Sequence, residues 1–136
     1  MTETTPNQSY TYRKQLDTPY EKAIKKVTAA LMDEGFGVLT EIDVQDTLKK
    51  KLGVDFPRYV ILGACNPNLA HEALLKEQEI GALLPCNVVV FEHQDGGSVV
   101  SIVDPRLMMG VVKNKSLDPI GDEAAERLQR VLYSLS

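Results

Sequence analysis

Two runs rich in β-branched residues, Cys86 to His93 and Ser98 to Asp104, flank Gln94-Asp95-Gly96-Gly97, and this arrangement constrains the chain more than any other. The glycines permit the positive φ that a tight return needs, so the pair reads as a β-hairpin. Val88 and Val90 point to one face while Val89 and Phe91 point to the other; in the second run Val100 and Ile102 oppose Val99 and Val103. Both faces are apolar. A sheet covered on one side alone would alternate apolar with polar residues, so something must cover the second face. Internal helices can do it, and so can another copy of the chain; a homodimer is the expectation.

The remaining elements follow from periodicity and punctuation. Met1 to Ser9 is polar and reads as a flexible tail, and Tyr10 to Leu16 alternates as a first strand. Thr18 is suited to cap a helix, with Pro19 at its first position, Glu21 completing a capping box, and Tyr20, Ile24, Val27 and Leu31 as its apolar stripe. Gly35 stops that helix, Phe36 to Ile42 returns as a strand, and Asp43 caps a short helix ending at Leu52 and Gly53, with Val44, Leu48 and Leu52 on one side. Arg58 to Cys65 is a strand. Asn66 and Pro67 start a third helix, with Leu69, Ala73 and Leu74 facing inward. Glu79 to Pro85 holds one more turn, Pro105 to Met109 a short helical turn, and Val111 to Leu117 an irregular connection. Asp118 and Pro119 launch a last helix with Ile120, Ala124, Leu128, Val131 and Leu135 as its stripe. With no internal repeat or composition break, residues 10–136 read as one α+β domain.

Composition narrows the function classes. The 136 residues are 43% hydrophobic and 25% charged, enough to bury a core without disulfides or a structural metal. The net charge of −4 supplies no field to attract phosphates, so nucleic acid is not an expected partner. Lys22, Lys25, Lys26 and Lys49 to Lys51 read as solvated helix faces. No secretory signal and no bilayer-length apolar stretch is recognised, so a cytoplasmic setting without a membrane is expected, and with it reduced thiols.

The two cysteines are the best lead to chemistry. Cys65 ends a strand in Gly63-Ala64-Cys65-Asn66-Pro67, and Cys86 starts one in Leu83-Leu84-Pro85-Cys86-Asn87. If the intervening helix were a parallel crossover they would lie about 20 Å apart; an antiparallel connection would put both at one end of the sheet. Three readings compete: buried small hydrophobes, a redox pair with Cys65 activated by the helix starting at Asn66, or a soft-metal or anion site there. His71 can approach Cys65, whereas His93 lies about 23 Å along the strand from Cys86. Glu92 shares a face with Cys86, and Asp104 one with Val100 and Ile102, so the two acids can form a pair near a cleft. Met108 and Met109 suit plastic packing or copper(I).

The motifs Gly63-Ala64-Cys65-Asn66-Pro67, Leu83-Leu84-Pro85-Cys86-Asn87-Val88-Val89-Val90 and Val103-Asp104-Pro105, in this order, resemble the family catalogued as Domain of Unknown Function 302. The resemblance covers roughly Gly35 to Met109. It implies a small α+β protein with a mainly antiparallel sheet of about five strands, related to the TATA-binding-protein-like fold and often paired as dimers. It implies no DNA binding and no catalytic residue, since the family has no established activity. The implied antiparallel meander would bring the two cysteine-bearing strand ends together.

The expectation is therefore a dimeric domain that binds a small ligand or senses redox state through a cysteine pair, with no cofactor identified. Its candidate site is Cys65, Asn66, Cys86 and Glu92, and its candidate metal ligands are Cys65, Cys86 and His71. The alternatives are an enzyme with Cys65 as nucleophile assisted by Glu92 or His71, and a purely structural dimer module.

Overall fold

The computed structural model describes residues 10–136, so the tail expected over residues 1–9 lies outside the described residues. Strands β1 (Thr11–Leu16), β2 (Gly37–Asp43), β3 (Tyr59–Cys65), β4 (Cys86–Glu92) and β5 (Ser98–Val103) form one antiparallel sheet in the order β1-β5-β4-β3-β2. The α+β class and the strand number are as expected. Between the strands run α1 (Tyr20–Asp33), α2 (Val44–Leu52) and α3 (Pro67–Lys76), and α4 (Pro105–Val112) and α5 (Asp118–Ser134) follow the last strand.

The two long amphipathic helices cover one face. From α1, Ala23, Val27 and Leu31 are buried; from α5, Ala124, Leu128, Val131 and Leu132 join them against Val60, Leu62, Val88, Val90, Val100 and Ile102 of the sheet. Burying each of these Val, Leu and Ile side chains contributes about 1.5–3 kcal/mol, which makes this face the main source of stability.

The structure departs from the expected pattern in four places. Helix α1 starts one residue late, at Tyr20, with Pro19 as its cap residue and no capping side chain. Thr18 instead donates its hydroxyl to the Ser136 carbonyl oxygen at 2.9 Å, which ties the entry of α1 to the chain's last residue. The irregular connection expected after Met109 is helical as far as Val112, with Asp104 capping α4 through the Arg106 N–H. Helix α3 buries Ala73 but leaves Leu74 exposed. Helix α2 has the expected boundaries, its Asp43 cap accepting from Asp46 N–H and Gly53 at φ +67°, yet it buries none of its residues. Its Val44, Leu48 and Leu52 stripe has no counterpart in the core.

The β4–β5 return is close to its expected form. His93 N–H donates to the Gly97 carbonyl at 2.8 Å, and Gly96 takes φ +94°, a conformation that favours glycine.

Candidate functional site

Antiparallel pairing of β3 with β4 brings the two cysteine-bearing strand ends to one end of the sheet, with Ala64 directly opposite Cys86. Successive residues of a strand point to opposite faces. Cys86 therefore lies on the helix-covered face with Ala64 and Val88, while Cys65, one residue past Ala64, turns toward the other face beside Gly37. The thiols share an end of the sheet but not a face; both are free, and they do not form the close pair that the sequence suggested.

Between them lies a cavity of about 30 Å³, walled by Phe36, Leu69, Ala73, Met109 and Ala124 together with the cysteines. That is room for roughly one water molecule, and the walls are almost wholly apolar. Asn66 is buried at its rim, where its Oδ1 accepts from Leu69 N–H at 3.1 Å and so caps α3. The cap accounts for the local sequence: Asn66 satisfies a donor that the first turn leaves over, and Pro67 fills a position that needs no N–H.

The electrostatics run against an activated thiol. Burial pushes the Cys65 thiol above its ordinary pKa, where the start of α3 was expected to lower it. Cys65 lies in the apolar wall of the cavity, and the Asn66 side chain already takes a donor of the first turn. Cys86 is pushed up to about 11, first by burial and then by the neighbouring Cys65.

The other named residues do not gather here. Glu92 ends β4, about 20 Å from Cys86 at strand rise, and is held by Arg58, whose Nη2 and Nε donate to Glu92 Oε2 at 3.0 and 3.1 Å. These bonds lower its pKa. Asp104 caps α4 near the opposite end of the hairpin, so it makes no acid pair with Glu92. His71 is exposed on α3 and does not line the cavity. Among the described residues no three His, Cys, Asp or Glu side chains come together to hold a metal ion.

The second face of the sheet is the other candidate, and only its apolar character was foreseen. Cross-strand register sets out its rows: Gln15, Val99, Phe91 and Tyr59; then Arg13, Ser101, Val89, Ile61 and Ile42. The Tyr59 and Phe91 rings stack at 5.3 Å, and Phe56 meets Tyr59 edge-on at 6.1 Å. Val89, Phe91, Tyr59 and Val103 are half-buried and border a trough of about 560 Å³ with Thr11, Arg13, Asn87 and Ser101. The signal in the sequence was the spacing of Tyr59 and Ile61 and of Val89 and Phe91, each pair of which alternation assigns to one face.

Comparison with known proteins places these features in a family. A family model described as "Domain of unknown function DUF302" matches residues 12–135. An uncharacterized protein of Aquifex aeolicus (strain VF5) is 30% identical over 104 residues; the match covers 75% of this chain and 66% of that protein's length, so the chain spans just under two thirds of this relative. The crystal structure of an uncharacterized conserved protein DUF302 from Bacillus stearothermophilus superposes with a TM-score of 0.87 at 29% identity, covering 95% of this chain and 100% of that one.

Proposed function

Because this chain belongs to the DUF302 family, whose description carries no activity, we propose a function from its surface: it is a self-associating module that pairs two copies through the second face of the sheet. The observation that carries this reading is the half-buried apolar and aromatic set Tyr59, Ile61, Val89 and Phe91, on the side opposite the α1 and α5 core. Aromatic residues are enriched and charges depleted at the centre of interfaces, and this face has that composition. Burial raises both thiol pKa values, which weighs against a nucleophilic or redox-sensing cysteine, since either needs the thiolate.

The test is sedimentation velocity. Wild type should sediment at twice the 15.1 kDa chain mass, and Val89→Asp should sediment as a monomer with an unchanged far-UV circular dichroism spectrum. Monomeric wild type at high micromolar concentration would overturn the reading.

One observation favours a second reading, small-ligand binding in the same trough. The Thr11 hydroxyl is buried there without a hydrogen-bond partner among the described residues, and a buried polar group left unpaired is costly. A monomeric wild type that takes up the apolar dye anilinonaphthalene sulfonate at one site, with loss of that binding in Val89→Asp, would support it.

A further inference from the structure

We infer that the arm formed by β2, α2 and the following loop, residues 39–56, is the outer half of the pairing surface and grips the second copy beyond the edge of the sheet. This rests on the self-association reading and extends it to residues that lie off the sheet face.

Area is the first argument. Five strands about 4.8 Å apart and about 20 Å long present a face of roughly 480 Å². A stable interface takes about 800 Å² from each partner. The sheet face falls short, and the surplus has to come from apolar surface continuous with it.

The arm offers that surface. Of the twelve exposed large hydrophobic residues among the described residues, five lie in the arm: Leu39, Ile42, Leu52, Val54 and Phe56. The arm spans only 18 of the 136 residues, so apolar exposure is concentrated there. Leu39 and Leu52 are each 68% exposed. Helix α2 is amphipathic in sequence but buries none of its residues, and a helix of nine residues gains little from propensity alone and depends on what its apolar stripe meets. The arm is also continuous with the sheet face, because Phe56 meets Tyr59 edge-on and Ile42 stands opposite Ile61.

Two of the arm's lysines are paired within it. Lys49 Nζ lies 3.0 Å from Asp55 Oδ1, and Lys50 Nζ lies 2.8 Å from Asp46 Oδ2. A second copy approaching Leu52 and Val54 therefore meets a polar rim in which Lys49 and Lys50 already have partners, as at the edges of known interfaces.

The double variant Leu52→Asp/Val54→Asp tests the inference beside Val89→Asp and wild type. Both arm positions are exposed, so the fold should survive, as circular dichroism would report. The expected result is a dimer dissociation constant raised tenfold or more in the arm variant. Hydrogen exchange of residues 44–56 should also be slower in concentrated wild type than on dilution. A dimeric wild type, a monomeric Val89→Asp and an arm variant that pairs as tightly as wild type would overturn the arm while leaving the sheet-face reading intact. A wild type that stays monomeric would overturn both.

Discussion

Replacing Gly63 by alanine tests how closely the two strand-end motifs are fitted together. Gly63 stands on the second face of β3, opposite Asn87 and Thr40. An added Cβ would run into the Thr40 hydroxyl and would lie 2.8 Å from Pro85 Cγ, about 0.6 Å short of the 3.4 Å at which ordinary contact begins. Thr40 is exposed on an edge strand, so rotating its side chain relieves the first clash at small cost. Pro85 has no such freedom. Its ring can change pucker but cannot swing aside, and the next residue, Cys86, is paired to Ala64 in the sheet and walls the cavity. Small-to-large insertions of this kind cost about 1–3 kcal/mol. For a domain of this size each kcal/mol lowers Tm by about 3–5 °C. Gly63→Ala should therefore melt roughly 3–15 °C below wild type by calorimetry. Thr40→Ala alone should be nearly neutral, and adding it to Gly63→Ala should recover only the smaller part of the loss. Displacing Pro85 should also speed alkylation of Cys86. A Gly63→Ala protein with wild-type Tm, or one fully rescued by Thr40→Ala, would refute the argument that Pro85 is the rigid partner.

Three further outcomes are expected. Raising the Cys86 pKa from 9.0 to about 11 cuts its thiolate fraction near neutral pH about 100-fold. In native reduced protein, mass-spectrometric alkylation rates should therefore rank the half-buried Cys65 above Cys86; the reverse order would show that the thiol environment is misread. Gly97→Ala should destabilise more than Gly63→Ala, because its Cβ would fall on the Leu16 carbonyl oxygen and lie 3.3 Å from Asp17 Cα, and backbone atoms have no rotamer by which to move aside; equal or higher Tm in Gly97→Ala would contradict this. Glu92 has its pKa lowered by hydrogen bonds from Arg58, so its contribution to stability is present above its ordinary value of 4.5 and is lost as pH falls through the lowered one. Glu92→Gln should accordingly be less stable than wild type at neutral pH, with the gap closing in acid; a gap that persists at low pH in urea titrations would exclude the Arg58 bonds as its cause.

Much of the fold was legible because the signals were periodic and local. The stripe from Ile120 to Leu135 and the alternation from Cys86 to Val103 each report one burial environment, and all the buried residues they name lie on the expected faces. The Asn66-Pro67 and Asp43 caps were readable for the same reason, since a cap depends on chemistry within three residues. What failed depended on distance. Thr18 looks like a cap until Ser136, 118 residues away, is near enough to accept its hydroxyl. Glu92 looks like a catalytic acid until Arg58 closes on it from the start of the neighbouring strand. Strand parity already placed Cys65 and Cys86 on different faces once Ala64 was set opposite Cys86; that pairing, which depends on topology, was the missing step.

The strand-end motifs acquire a consistent structural role once their contacts are named. Asn66 caps α3, Pro67 opens it, Pro85 approaches Gly63 across the strand pair, and Cys86 walls the small apolar cavity with Ala64 and Ala124. Free cysteine is well suited to such a place, as a small apolar group that burial keeps protonated. Folding of the single chain thus accounts for the residues that looked most chemical. It does not account for Leu52 and Leu39, which cost solubility where they stand and are each 68% exposed. Selection for folding alone would favour polar residues at those sites. The residues that the fold leaves unexplained are the ones to change first when function is sought, and they lie on the arm and the second face of the sheet rather than at the thiols.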